Sequence, residues 1–135
     1  MIIARTKEGK YITVRQFRHG LKKITTEFCA GGIEGNEHES ALLAAKRELQ
    51  EETGYVSDHW KHIYTIPSNP TIADNYAYLY YADDCEKVSN QHLDSTEFLE
   101  VKEYTEDEID DLIKNNEFVQ PIHLMGWLMV KKGLL

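Results

Sequence analysis

Arg47-Glu48-Leu49-Gln50-Glu51-Glu52-Thr53-Gly54 is the stretch on which the reading of this chain turns. It closes a run from Ser40 that is rich in Ala, Leu, Glu, Lys and Gln, all good helix formers. Gly54 stands where a helix ends in the left-handed conformation, so the pattern predicts a helix from Ser40 to Thr53. On that helix Glu48 lies three residues before Glu51 and four before Glu52, which brings three carboxylates near one face. Like charges at these spacings cost about 0.2–0.5 kcal/mol per pair in an isolated helix. A hard divalent cation offsets that cost, because magnesium takes oxygen from a few carboxylates and completes its octahedron with water and phosphate. Arg47 adds a fixed positive charge able to hold a neighbouring carboxylate through a bidentate contact. Taken alone, Glu-x-x-Glu-Glu reads more simply as a solvated acidic face, so the flanking sequence has to decide.

Outward from this helix the chain mixes strands and helices. Ile2 to Ala4 and Tyr11 to Phe17 read as a hairpin around Lys7-Glu8-Gly9-Lys10, with a further short strand at Glu27 to Ala30 before Gly31-Gly32. Trp60 to Ile66, Tyr76 to Ala82 and Glu97 to Glu103 read as later strands. Thr105-x-x-Glu108 is a capping box opening a short helix to about Asn115, and a last helix is expected from Pro121 or Ile122 to Lys132. The elements do not alternate as regular βαβ units, which favours an α+β or mixed-sheet sandwich over a doubly wound sheet.

Composition sets the outer limits. A chain of 135 residues with 41% apolar content suits a single domain over residues 1–135 with one packed core. The formal net charge of −8 disfavours nucleic acid or an anionic membrane as partner, yet an acidic protein binds phosphates when divalent cations bridge the two. Cys29 and Cys85 have no CxxC partner, so free buried thiols are expected rather than a zinc site or disulfides. Met1-Ile2-Ile3-Ala4-Arg5 has no signal-peptide core and no apolar run reaches membrane-spanning length, which predicts a soluble, cytoplasmic protein. The six histidines show no ligand spacing and are read as surface or packing residues.

The wider pattern resembles the Nudix hydrolases, whose signature is Gly-x5-Glu-x7-Arg-Glu-aliphatic-x-Glu-Glu-x-Gly-aliphatic. Glu39 stands eight residues before Arg47, and Glu48, Leu49, Glu51, Glu52 and Gly54 fall in place, with Tyr55 at the final apolar position. One departure is a two-residue insertion in the Gly35-Asn36-Glu37-His38 loop, which puts seven residues between Gly31 and Glu39. Val14-Arg15-Gln16-Phe17-Arg18 is similar to the Arg-Gln-aromatic-Arg strand of the ADP-ribose pyrophosphatase branch. Glu27-Phe28-Cys29-Ala30-Gly31 resembles that branch's Glu-x-Pro-Ala-Gly with cysteine for proline, and Pro70, 16 residues after Gly54, fits its downstream proline. Members of that branch carry additional N-terminal strands, whereas this chain starts almost at its first core strand.

The resemblance implies an α/β/α sandwich with a mixed central sheet and a magnesium-dependent attack of water on a nucleoside diphosphate linked to another group, with manganese as a substitute ion. It implies ADP-ribose or a nucleotide sugar as substrate, with a nucleoside triphosphate pyrophosphohydrolase or a catalytically silent nucleotide-binding module as the alternatives. Glu48 and Glu52 are the expected metal ligands, with Glu51 sharing that role or holding water, and the Ala30 carbonyl is the expected backbone ligand. Arg47, Glu51, Glu52 and Glu97 make up the expected catalytic set, Glu97 as general base with Glu100 as runner-up. Arg15, Arg18, Gly31, Gly32 and Pro70 are the expected substrate contacts, although Arg15 and Arg18 lie an odd number apart and face opposite sides of a regular strand. Phe17 or one of Tyr76, Tyr78, Tyr80 and Tyr81 could stack on a base, against the simpler reading of packing. Family habit implies a homodimer, and Leu124, Trp127 and Leu128 read either as its interface or as helix core.

Overall fold

Among the described residues, 1–34 and 40–134 of a computed structural model, seven strands form one mixed sheet. The loop with the expected insertion, and Glu39 with it, lies outside the described residues. In chain order the elements are β1 (Ile2–Thr6), β2 (Tyr11–Arg18), β3 (Lys23–Phe28), α1 (Ala41–Thr53), β4 (Tyr55–Val56), β5 (His59–Pro67), β6 (Tyr76–Lys87), β7 (Glu100–Tyr104), α2 (Glu106–Lys114) and α3 (Pro121–Lys131). β1 runs parallel to β6, and the other pairings are antiparallel.

The site is positioned by a fork in this sheet. Ile12 of β2 lies between Ala4 and Glu103, and Thr13 between Phe28 and Lys102. β7 therefore follows one edge of β2, while β1 and then β3 share the other and diverge from it. The chain leaving β3 returns to β1, where the Ile2 N–H donates to the Cys29 carbonyl at 2.8 Å. Ala30 to Gly32 lie at this fork.

Side-chain alternation along the strands builds two cores, one on each face. Ile2, Ala4, Ile12, Tyr80 and Ala82 pack against Ala45 and Leu49 of α1. Ile3, Tyr11, Ile63 and Leu79 face α2 and α3 through Ile109 and Trp127. The Trp127 and Tyr11 rings meet edge-to-face with centroids 4.7 Å apart. The result is the expected α+β class, an α/β/α sandwich. Of the apolar residues of α3, Trp127 is core, whereas Leu128 is 56% exposed.

The helix ends follow their sequence signals. The Ser40 Oγ accepts the Leu43 N–H at 3.2 Å, Gly54 closes α1 at φ 78°, and Thr105 with Glu108 forms the full capping box. Three strand boundaries differ from expectation by three residues or more. β3 covers Lys23 to Phe28 rather than Glu27 to Ala30, because β2 pairs with all six of its residues and Cys29 makes only a bridge. β6 continues to Lys87 because β4 adds a partner at its end. The strand expected from Glu97 starts at Glu100, where pairing with Arg15 begins. Glu97 instead sits in a turn, its carboxylate accepting the Asp94 N–H at 3.1 Å.

The loop carrying Glu97 hangs from the last turn of α1. The Gly54 carbonyl accepts the Val88 and Ser89 N–H groups, the Glu51 carbonyl that of His92, and the Glu52 carbonyl the Gln91 side chain. A Cβ at Gly54 would lie 2.0 Å from the Ser89 oxygen, on a backbone already at positive φ. Gly54→Ala is therefore expected to cost about 1–3 kcal/mol from the conformational strain alone. It should also speed amide exchange at Val88 and His92. Denaturant unfolding checks the first and hydrogen exchange the second, and a variant as stable as wild type would mean that the loop does not rest on this contact.

Candidate active site

Leu49, fully buried, fixes the rotation of α1 against the sheet, and the helical period then places the three glutamates. Glu52 is 5% exposed and faces the chain after β3. Its Oε2 accepts the Cys29 thiol at 2.6 Å, and the Ala30 N–H donates to the same carboxylate. Glu48, one turn earlier, lies against Gly31 so closely that a Cβ there would stand 1.9 Å from its Cδ. A side chain at position 31 would force the Glu48 carboxylate to move. Glu51 points further outward, with its side chain 44% exposed.

Arg47 ties this face together. Its Nη1 donates to Glu48 at 3.0 Å and to Glu51 at 2.9 Å, and its Nη2 reaches the Gly32 carbonyl at 3.4 Å. Among the described residues, one Arg47 nitrogen is shared between two carboxylates, its i+1 and i+4 neighbours.

Burial pushes the Glu52 carboxyl up to about 7, with the charges of Glu48 and Glu97 adding to the rise and the Cys29 and Ala30 hydrogen bonds opposing it. Burial also raises Glu48, assisted by Glu51 and Glu97 and opposed by Arg47. The Cys29 thiol is driven well above its ordinary value by burial and by Glu52, so it stays protonated and serves as a donor.

Among the described residues no three His, Cys, Asp or Glu side chains converge as a ready-made metal cage. Arg47 engages Glu51, and the Cys29 thiol engages Glu52. The donor set nonetheless fits a hard divalent cation. Glu48 and Glu52 are oxygen donors whose ionisation is penalised by burial and mutual repulsion, and they line a backbone kept clear of side chain at Gly31.

Two spaces meet at Ala30. One, of about 400 Å³, is lined by Gly31, Gly32, Glu48, Tyr76, Tyr78 and Gln120, with Ser68 and Asn75 from the loop between β5 and β6. The other, of about 620 Å³, is lined by Ala30, Glu52, Phe17, Arg18, Glu97 and Phe98. It continues past Gln16, Phe17 and Phe98 into a cleft that reaches Arg15 and Glu100.

Most of the expected residues gather here. Arg18 reaches the space beside Glu52, held by Nε to Glu27 at 2.8 Å. Arg15 lines only the outer cleft and pairs with Glu100 at 3.1 Å. Glu97 lies beside the Glu52 space, whereas the runner-up Glu100 is engaged by Lys102 and Arg15, whose contacts hold its carboxyl below the usual range. Pro70 is exposed in the loop between β5 and β6 and lines neither space, while Ser68 and Asn75 of the same loop line the first. Tyr80 is core and Tyr81 is partly buried, but Tyr76 and Tyr78 reach the cavity.

Three features escaped the sequence reading. Cys29 is the donor to Glu52, signalled only by cysteine standing where the resembling motif has proline. Glu27 is buried and accepts both Arg18 and Thr25. His123 is buried and accepts the Phe28 N–H on Nδ1 at 3.2 Å, and no spacing pointed to it.

The NUDIX domain family model matches residues 1–123. The chain belongs to the Nudix family of pyrophosphohydrolases. This Nudix chain is 33% identical over 137 residues to the ADP-ribose pyrophosphatase of Bacillus subtilis (strain 168), covering 98% of this chain and 72% of that one. It is 37% identical over 114 residues to the methanol dehydrogenase activator of Bacillus methanolicus, covering 84% of this chain and 60% of that protein. The putative nudix hydrolase 2 of Caenorhabditis elegans is 39% identical over 109 residues, 74% of this chain and 48% of its own length. A crystal structure of an ADP compounds hydrolase superposes with TM-score 0.85 at 22% identity, covering 99% of this chain and 70% of that one, and shows the same fold.

The raised Glu52 carboxyl has a consequence for stability. Such a group contributes stability that is complete below its unfolded value of 4.5 and is lost as pH rises through about 7. In chelator, Glu52→Gln is therefore expected to exceed wild type at pH 8 by up to about 3 kcal/mol, and to match it near pH 4. Denaturant unfolding at the two pH values measures this. Equal stabilities at pH 8 would show that the buried carboxylate carries no such penalty.

Proposed function

We propose that this Nudix chain hydrolyses the diphosphate of a nucleoside diphosphate joined to a second group, with ADP-ribose or a nucleotide sugar as substrate and Mg2+ or Mn2+ as cofactor. The observation that carries this reading is the pair of spaces meeting at Ala30, one beside Glu48 and one beside Glu52. A diphosphate lying across the two glutamates has an arm to either side. A nucleoside triphosphate has only one arm to place. The resemblance to an ADP-ribose pyrophosphatase over nearly the whole chain supports the same choice.

In this reading Glu48, Glu52 and the Ala30 carbonyl hold the divalent ions, with Glu51 assisting and Arg47 fixing Glu48 and Glu51 in place. When bound, the ions supply Lewis-acid stabilisation of the charge that gathers on the phosphoryl oxygens. Arg18 contributes a positioned cation from the side of the Glu52 space, oriented by its contact with Glu27. Glu97 accepts the proton of the attacking water. One of its oxygens is held by the Asp94 N–H, which aims the carboxylate without consuming its second oxygen. Gly31 and Gly32 let the diphosphate approach the backbone, and Phe17 and Phe98 flank the second arm.

Product release from ADP-ribose, nucleotide sugars and nucleoside triphosphates, with magnesium and with chelator, tests the proposal. Magnesium-dependent formation of AMP from ADP-ribose is expected. Cleavage of triphosphates alone would keep the chemistry and overturn the substrate, and cleavage of none would favour a binding module. Glu97→Gln should lower the rate by about 10²-fold or more at unchanged stability. An unchanged rate would remove Glu97 from the role of base.

A further inference from the structure

The loop that carries Glu97 is closed at its neck by one side chain. Gln91 Nε2 donates to the Glu52 carbonyl at 2.8 Å and to the Leu99 carbonyl at 3.1 Å. Both partners are carbonyl oxygens, so only the NH2 end of the amide can face them, and its two hydrogens serve the two bonds. Glu52 lies in the last turn of α1, where backbone carbonyls lack a partner further along the helix. Leu99 directly precedes β7, which is fixed by the pairing of Glu100 with Arg15. A single amide thus joins the end of α1, the start of the loop and the start of β7.

Glu97 lies inside the segment that this amide closes, two residues before Leu99. Its N–H donates to the Asp94 carbonyl at 2.9 Å, and its carboxylate accepts the Asp94 N–H at 3.1 Å. These two bonds fix the carboxylate relative to its own turn, but not the turn relative to α1. Backbone bonds from Val88 and Ser89 to Gly54, and from His92 to Glu51, anchor the loop on its upstream side. At the Leu99 carbonyl the downstream side is drawn to the same helix end. The proposed base has to stand within reach of a water beside Glu52, so the spacing of turn and helix bears directly on the reaction.

We propose that Gln91 is a positioning residue for the hydrolysis, its amide holding the Glu97 turn at a set distance from the carboxylate face of α1. The inference rests on the proposed function and deepens it by a residue that acts through another rather than on the substrate. Gln91 meets the Glu52 backbone carbonyl and not the carboxylate, so the proposed metal ligands keep their places without it. What is lost is the register between base and ligands, and a misplacement of about 1 Å can cost about 10²-fold in rate. Two hydrogen bonds at an exposed neck are weaker than that limit, and a loss of about 10-fold is expected.

The test compares Gln91→Met, which keeps the reach of the side chain without a donor, with Gln91→Glu, which keeps its shape and faces both carbonyls with acceptors. Gln91 is exposed, so neither change disturbs the core. With ADP-ribose and saturating magnesium, both variants should lower kcat about 10-fold at unchanged KM. Calorimetric Mn2+ affinity of Gln91→Met should equal that of wild type, and in a Glu97→Gln background Gln91→Met should lower the rate no further. Exchange of the Glu97 amide should quicken about 10-fold in Gln91→Met, while that of the His92 amide, bonded directly to Glu51, stays as in wild type. An unchanged kcat, a 10-fold loss repeated in the Glu97→Gln background, a loss in Gln91→Met without one in Gln91→Glu, or weaker Mn2+ binding would each overturn the role. Equal quickening at Glu97 and His92 would overturn it too, since Gln91 would then support the loop as a whole. Hydrolysis by wild type that does not respond to Gln91 would fail this inference alone. Absence of hydrolysis in wild type would fail the proposed function, and amide exchange would then decide by itself whether Gln91 places the Glu97 turn.

Discussion

The packing of two carboxylates, buried Glu52 and half-buried Glu48, against the chain segment Cys29 to Gly31 is the constraint on which the rest of the molecule depends. In a protein of net charge −8 these groups stand where ionisation is costly, and Arg47 is already shared between Glu48 and Glu51. A fold selected for stability alone has no reason to keep such a pair in its wall. A site that works with a divalent cation does, since the cation supplies the charge that burial and mutual repulsion call for.

The architecture holds this constraint in place from three directions. Leu49 fixes the rotation of α1, and the fork of β1 and β3 from one edge of β2 delivers the Ala30 backbone in front of it. The C-terminal turn of α1 suspends the loop that brings Glu97 to the Glu52 side. At Gly31 and Gly54 an added side chain would run into the site's own support, the Glu48 carboxylate in one case and the Ser89 carbonyl in the other. The groups proposed to be catalytic come from distant parts of the sequence and thus depend on the last two turns of a single helix.

The helix was the most legible part of the chain, and the reason is physical. Ser40, the run of helix formers and Gly54 are local signals whose meaning does not depend on the rest of the fold. The same holds for the Thr105 capping box. The strand ends were less legible because pairing partners far away in sequence set them: β7 starts at Glu100 only because Arg15 is there to pair, and β6 ends at Lys87 because β4 reaches it. In the site, the glutamates on α1 could be read from spacing, but their support could not. Cys29 meets Glu52 across 23 residues, and His123 meets Phe28 across 95, so nothing short of the fold reveals either contact. The tyrosines of β6 make the same point. Their sequence is a uniform aromatic alternation, yet Tyr80 is core while Tyr76 and Tyr78 reach a cavity, because α1 covers only part of the strand.

The central claim is that the Glu48 and Glu52 face is built for a divalent cation, and calorimetry of Mn2+ or Mg2+ binding to the unmodified protein tests it most directly. Because Glu52 titrates near 7 without metal, binding at pH 6 should release protons, seen as a heat that changes with the ionisation enthalpy of the buffer, and this release should fade by pH 9. Absence of binding, or binding with the same proton count at both pH values, would contradict the account.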